Sequence, residues 1–325
     1  MAPLPLIATM IGDPAGIGPE VAVKAIASGE LDRLCIPVLI GDLGVVKRAA
    51  EVSGVTRALQ RIESVGDPGT QTDVIRVLDP GGFDVSSCAF GEPSAACGQA
   101  VLDWTRVATA LGASGRIQGV IMGPKNSTSL KLAGSKTVAG TPAPGTYMLR
   151  MSGALRVVPL TEHVRLTQAL EMVTPENVLK VIRVLSDSLV KWGLPHPRIA
   201  VAGMNPHAMF DEDRERIVPA VDAARKLGID ASGPAVPDAV FRHALEGKYD
   251  AVVTMYHDQG QIAVKTAAFE GACTVHIGLP YIRVGVPHGT AFDIAGKGVA
   301  RHRSMLNSMK TAAQLASGSG IFGQV

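Results

Sequence analysis

Leu6-Ile7-Ala8-Thr9-Met10-Ile11-Gly12-Asp13-Pro14-Ala15-Gly16-Ile17-Gly18-Pro19-Glu20 runs an apolar, strand-like segment into a glycine-rich turn and out into an amphipathic stretch. A buried strand, a turn of bare backbone and a helix opened by proline make up one βα unit. The pattern repeats. Apolar runs at 6–10, 36–40, 74–78, 119–122, 155–160, 199–204, 251–255 and 273–277 alternate with helical periodicity at 19–27, 45–52, 95–111, 175–192 and 218–227. Strands alternating with helices predict an α/β fold built on a mostly parallel sheet with right-handed crossovers.

The bulk numbers agree. At roughly 150 residues per domain, 325 residues predict two domains or one large α/β unit. Hydrophobic residues are 46%, charged 18% and aromatic only 4%, a composition that excludes disorder and suits sheets covered by helices. The 31 Lys and Arg against 29 Asp and Glu leave a formal charge of +2, which gives no basic field for nucleic acid. Cys35, Cys88, Cys97 and Cys273 show no CxxC spacing and read as buried free thiols in a reducing cytoplasm. The opening residues lack a basic start and lead directly into Gly12, so they read as a strand rather than a signal peptide. No run approaches the roughly 18 apolar residues of a membrane span, and a soluble, cytoplasmic protein is expected. The Gly-, Pro- and Thr-rich stretch 134–145 predicts a loop near a boundary between two lobes, and 317–325 predicts a fraying end.

Three constellations are candidates for chemistry. The glycines at 12, 16 and 18 would let a ligand reach backbone N–H groups at a helix start, although a tight turn capped by Pro19 uses them equally well. They do not have GxGxxG spacing. His163, His207 and His257 each follow a predicted strand, and in a parallel sheet the carboxyl ends of strands share one crevice. Three imidazoles there suit a divalent cation with open positions for substrate, or are three separate polar loop residues. His288-Gly289-Thr290-Ala291-Phe292-Asp293-Ile294-Ala295-Gly296-Lys297-Gly298 suits a loop laid against a flat ligand, or a Gly-bounded helix with Asp293 near its start. Lys265 and Arg283 flank it as candidate clamps for a carboxylate or phosphate, or as solvated charges.

Gly12 to Glu20, Asn205-Pro206-His207, Tyr256-His257-Asp258-Gln259-Gly260, Gly278-Leu279-Pro280 and His288-Gly289-Thr290 occur in the order found in the 4-hydroxythreonine-4-phosphate dehydrogenase family of vitamin B6 synthesis. The resemblance covers nearly the whole chain. The two end motifs also resemble segments of isocitrate and isopropylmalate dehydrogenases. The resemblance implies two α/β lobes around a central cleft, with 1–130 and 285–325 on the cofactor side and 131–284 carrying metal, substrate and dimer contacts. It implies a homodimer and NAD or NADP bound without a Rossmann fingerprint along Gly289, Thr290 and Asp293, while the charge balance and the apolar run lengths predict no nucleic-acid or membrane partner.

It further implies that His163, His207 and His257 hold a divalent ion of the Zn, Mn, Co or Mg kind. Substrate contacts fall on Pro144, Gly145, Lys265, Arg283 and Thr274, the last standing where the family usually has Asn. Lys265 is also a catalytic candidate, and so is Asp258, as base or relay or as the group that orients His257. Where the family has Gly-His-Thr-Glu the chain reads Ala143-Pro144-Gly145-Thr146, and where it has Gly-Pro-x-x-Lys the chain places Ser127, with Lys125 two residues earlier. Similar losses mark the related terephthalate dihydrodiol dehydrogenases. The expected reaction is therefore metal-dependent oxidation of the secondary alcohol of a hydroxy acid or diol carboxylate, with decarboxylation where the product is a β-keto acid. Two alternatives stay open: authentic 4-hydroxythreonine-4-phosphate oxidation, and a catalytically silent ligand-binding paralogue.

Overall fold

The computed structural model describes residues 3–66, 73–136, 142–267 and 272–318. In chain order the elements are β1 (Leu6–Met10), α1 (Gly18–Ala27), β2 (Ile36–Ile40), α2 (Leu43–Ser53), β3 (Ala58–Ile62), β4 (Val74–Leu78), α3 (Ala95–Ala113), β5 (Gly119–Met122) and α4 (Ser127–Leu132). They continue with β6 (Tyr147–Ser152), β7 (Leu155–Pro159), α5 (Leu166–Met172), α6 (Pro175–Lys191), β8 (Ile199–Ala202), α7 (Val218–Lys226), β9 (Ala231–Ala235), α8 (Val240–Leu245), β10 (Ala251–Thr254), α9 (His257–Ala267) and β11 (Cys273–Ile277). The last are β12 (Ile282–Gly285) and α10 (Arg303–Ala316). Among the described residues no helix is long and apolar enough to cross a membrane.

The chain divides into two compact units, Met1–Gly140 with Pro280–Ser317, and Thr141–Leu279 with Gly318–Val325. In the first unit the strands stand in the order β3-β4-β2-β1-β5-β12, and every neighbouring pair is parallel. β1 and β5 are buried along their whole length, as strands covered on both faces must be. In the second unit the order is β11-β6-β7-β10-β8-β9. There β7, β10, β8 and β9 run parallel, while β6 is antiparallel to both β7 and β11. Leu155 and Val157 of β7, Ala200 and Ala202 of β8 and Val252 of β10 form a core with Val240 and Ala244 of α8 and Val264 of α9.

Helix ends follow local chemistry. Asp42 caps α2 by accepting from Val45 N–H at 2.8 Å. Asn126 caps α4, and Thr174 caps α6, which has proline in its first turn and a buried stripe of Val178, Val181, Ile182, Leu185 and Leu189; side-chain oxygens satisfy N–H groups that the first turn cannot.

The sequence divides at 130/131 and 284/285 as read above, whereas the units meet at 140/141 and 279/280. Packing keeps α4 with the first unit. A Cβ on Gly98 of α3 would lie 2.0 Å from the Ser129 carbonyl oxygen, so α4 closes directly onto α3 and stays with the first unit. Part of the predicted loop 134–145 and most of the predicted fraying end lie outside the described residues.

One buried ion pair ties chain ends together in the first unit. Lys24 Nζ donates to Glu20 Oε1 at 2.7 Å and to the carbonyls of Gly298 and Ala300 at 2.8 and 3.0 Å. Ala300 N–H returns a bond to Glu20 Oε1 at 2.8 Å. Removing one partner leaves the other charge buried and unpaired. Glu20→Ala is therefore expected to lower the unfolding free energy by about 3 kcal/mol, read as a lower urea midpoint at unchanged slope.

Candidate metal and cofactor site

In the second unit, parallel pairing of β7 with β10 sets Val252, Val253 and Thr254 opposite Val157, Val158 and Pro159. The two strands therefore end side by side. Leu160 N–H donates to Thr254 O at 2.7 Å and Thr161 Oγ1 to Met255 O at 3.2 Å, which stitches the turn after β7 to the turn after β10. Glu162 and His163 follow on one side, and His257 opens α9 on the other. Ligand atoms of Glu162, His163 and His257 all lie within 4.8 Å of one another, and the two imidazole centroids are 5.1 Å apart.

Two imidazoles and a carboxylate in that compass are a donor set that fits a divalent cation of the zinc or manganese kind. His257 Nδ1 lies 2.7 Å from Asp258 Oδ1, a contact that fixes the tautomer and leaves Nε2 as the ligand atom. Asp258 thus stands where it orients the ring. His207 is not part of the group. It follows β8 as expected, but in an exposed turn with φ 56°, and its neighbour Ala208 has φ 53°. Each such non-glycine residue costs about 1–3 kcal/mol. Asp213 holds the turn, accepting from Met204 N–H at 2.6 Å and Asn205 Nδ2 at 3.1 Å. Gln259 links β8 to β10, donating to Gly203 O and accepting from Met255 N–H, both at 2.8 Å.

Glu162 was not singled out in the sequence, and neither was the residue that holds it. Arg150, buried on β6, forms a two-pronged pair with both carboxylate oxygens, Nη2 to Oε2 at 2.7 Å. With its amide oriented so that oxygen faces the guanidinium, Gln261 of α9 accepts from Arg150 Nη2 at 3.1 Å and Nε at 2.8 Å. An arginine interrupting the apolar run of β6 was the signal available. Lys265, about two turns along α9, is exposed, and Thr274 stands opposite Arg150 in the β6–β11 ladder. Pro144 and Gly145 form the centre of a tight turn in which Thr146 N–H and Oγ1 both bond Ala143 O, at 3.0 and 2.7 Å.

In the first unit, β1, β5 and β12 lie side by side and parallel, so the turns after them gather at one edge. Ile17 N–H donates to Thr290 O at 3.0 Å. A Cβ on Gly16 would sit 2.9 Å from that same oxygen, so only glycine permits the approach. The two end motifs of the sequence are thereby joined. Thr290 is buried, while Gly289 and Asp293 are exposed and open space lies beyond Gly289. His288 Nε2 is buried without a hydrogen-bond partner. A loop with a bare backbone position beside an unsatisfied ring nitrogen fits a planar, polar ligand such as nicotinamide.

On the same edge Lys125 Nζ donates to Thr105 Oγ1 at 3.1 Å. Burial, helped by the charge of Arg283, pushes its ammonium down to about 8. Arg283 Nε is itself buried and unpartnered. Two neighbouring cations, one of them with a buried N–H lacking an acceptor, are candidates for holding an anion. Burial also raises the Asp13 carboxyl, against a bond from Ala15 N–H at 3.0 Å.

The α/β scaffold, with its His-carboxylate group and strand-end loops free of a Rossmann fingerprint, is shared with a family of dehydrogenases. The family model described as pyridoxal phosphate biosynthetic protein PdxA matches residues 33–312, and the chain belongs to that family. A protein of Novosphingobium aromaticivorans, provisionally named a 4-hydroxythreonine-4-phosphate dehydrogenase, is 44% identical over 317 residues, 97% of this chain and 96% of its own. A protein of Symbiobacterium thermophilum, provisionally named a D-threonate 4-phosphate dehydrogenase, is 38% identical over 326 residues, 96% of this chain and 97% of its own. The crystal structure of a 4-hydroxythreonine-4-phosphate dehydrogenase from Burkholderia phymatum superposes with a TM-score of 0.86 at 35% identity, over 96% of this chain and 98% of that one.

Removing the group that fixes the His257 tautomer should weaken the metal group without unfolding the chain. Asp258→Asn is expected to lower affinity for zinc or manganese by about 10–100-fold, measured by calorimetric titration of metal-stripped protein. Arg150→Met should cost about 3–5 kcal/mol of stability by stranding Glu162, measured by chemical denaturation.

Proposed function

We propose that this chain oxidises the secondary alcohol of a small anionic hydroxy acid, with NAD or NADP as hydride acceptor and a divalent cation held by Glu162, His163 and His257. The observation that carries the reading is the meeting of His163 and His257 at the ends of adjacent parallel strands, with Asp258 fixing one ring. A bound divalent cation would supply Lewis-acid polarisation of the alcohol oxygen. Within the first unit, Gly289, Thr290 and Asp293 would position the nicotinamide, and Lys125 with Arg283 would hold an anionic group. Lys265 and Thr274 are assigned to substrate contacts in the second unit, and His207 would serve as a further ligand only after leaving its strained turn.

The substrates named for the two relatives share a carboxylate, a phosphate and a secondary alcohol β to the carboxylate. Oxidation of such an alcohol gives a β-keto acid, which loses carbon dioxide readily. The substrate class that follows is a phosphorylated four-carbon hydroxy acid. The turn at Ala143 to Thr146, where the resemblance expects His and Thr side chains, favours a second reading, an unphosphorylated diol carboxylate.

The test is reduced-cofactor formation by metal-stripped protein given back zinc, manganese, cobalt or magnesium, across phosphorylated and unphosphorylated hydroxy acids. Turnover restored by metal with phosphorylated acids is expected. Turnover with unphosphorylated acids alone transfers the assignment to the second reading, and cofactor binding with no oxidation of any acid overturns both.

The anion site has a pH signature. Lys125 is charged below about 8 and neutral above it, so anion affinity should hold below that pH and fall above it, by up to about tenfold per pH unit if the charge is essential. Lys125→Met should flatten the profile, as read from the pH dependence of the dissociation constant.

A further inference from the structure

Cys88 and Cys97 lie against each other. Cys88 ends a short helical turn at Val85–Ser87, and Cys97 stands in the first turn of α3, where its N–H is capped by Ser94 Oγ at 3.1 Å. The Cys97 thiol donates to the Cys88 sulfur at 3.2 Å. Arg48 of α2 faces the same sulfur, with Nη2 at 3.4 Å, while its Nη1 holds the Cys88 carbonyl at 2.6 Å. That guanidinium also bonds Pro14 O at 3.2 Å and lies 4.1 Å over the Phe90 ring. Ala15 shares a buried cluster with both cysteines, and Phe83 and Phe292 pack against it.

We infer that Cys88 and Cys97 form a redox-active dithiol that a hydroperoxide closes into an intramolecular disulfide, with Cys88 as the attacking sulfur. Cys88 keeps 4% of its surface and Cys97 none, so a small oxidant meets Cys88 first. The hydrogen bond from Cys97 and the charge of Arg48 both favour the Cys88 thiolate and pull its pKa below the ordinary thiol range, against burial and the nearby Asp13. The same shared proton pushes Cys97 up. A thiolate beside a guanidinium is the reactive form of cysteine. Cys35 is the opposite case, pushed up to about 12 by burial and Asp32.

The steps balance. The Cys88 thiolate attacks one peroxide oxygen, the O–O bond breaks, hydroxide leaves and a sulfenic acid forms. The Cys97 sulfur then attacks Cys88, its proton and the sulfenic hydroxyl leave as water, and the S–S bond closes. The two sulfurs lose two electrons and the peroxide gains them. A disulfide spans about 2.05 Å, so the sulfurs must approach by about 1.2 Å, a shift within reach of a short turn facing the start of a helix. Being nine residues apart, the pair closes a small loop.

The test is non-reducing peptide mapping of the full-length protein after brief treatment with hydrogen peroxide. A single Cys88–Cys97 cross-linked peptide, reversed by dithiothreitol, is expected, with Cys35 still alkylatable once the protein is unfolded. In untreated protein, iodoacetamide should label Cys88 at least about tenfold faster than Cys35. Cys97→Ser should convert the cross-link into a dimedone-trappable sulfenic acid at Cys88, and Arg48→Met should slow its formation. Oxidation of Cys35 as fast as Cys88, over-oxidation of Cys88 without a cross-link in the native sequence, or a cross-link between other cysteines would overturn the inference. The mapping needs no variant, so a variant that fails to fold leaves the test intact.

Discussion

Parallel hydrogen bonding between neighbouring strands is the constraint on which the candidate chemistry depends. Because β7 and β10 run the same way in register, the residues that follow them emerge together, and Glu162, His163 and His257 meet although about ninety residues of chain separate them. The same constraint acts in the first unit, where β1, β5 and β12 are parallel neighbours and deliver Gly16, Lys125 and Thr290 to one edge. Antiparallel pairing would have sent alternate turns to opposite edges. The one antiparallel strand of the second unit, β6, contributes differently. It ends no loop at the metal group, and instead reaches it sideways through the long side chain of Arg150.

Buried charge is the second organising feature, and it is used in two ways. Glu20 with Lys24 closes a ring of hydrogen bonds in which the carboxylate and ammonium also hold backbone groups of Gly298 and Ala300, so the pair fastens the segment before α10 to α1. Arg150 with Glu162 fastens nothing so distant. Its carboxylate stands within reach of two imidazoles, and its guanidinium is met by Gln261, one turn along α9 from His257. A buried ion pair contributes little net stability over apolar packing. Its presence beside a donor set that fits a cation is better accounted for as positioning, since a carboxylate already gripped on one side presents its remaining lone pairs in a fixed direction.

The sequence was most readable where burial and periodicity agree. All eight predicted apolar runs fall on strands, from β1 through β11, because strands buried on both faces are continuous apolar stretches. The four strands that were missed carry the opposite signals. β3 is largely exposed, β6 contains Arg150, β9 contains Gly233 and Pro234, and β12 contains Arg283. The strand-end rule placed His163 and His257 together. It did not place His207 with them, because a strand's end fixes where a loop begins and not how the loop turns. Asp213 decides that turn, through bonds to Met204 and Asn205 that no local pattern announces. Glu162 was hidden, since a carboxylate next to a histidine acquires meaning only from Arg150, which stands on another element.

The turn at Ala143 to Thr146 shows how a change in side chains redistributes recognition. Pro144 and Gly145 fit the turn's geometry, with Gly145 at φ 75°, and the Thr146 hydroxyl is spent on Ala143 O. Its one proton is therefore committed, and proline and glycine side chains offer no donor at all. Lys125 and Arg283 retain unspent N–H groups, and the lowered pKa of Lys125 records how poorly water and neighbours now stabilise its charge. An arriving anion would supply the missing stabilisation, so charged Lys125 and bound anion favour each other by the same free energy. Under the proposed function, that mutual dependence would make the cationic pair of the first unit an anion-selective element.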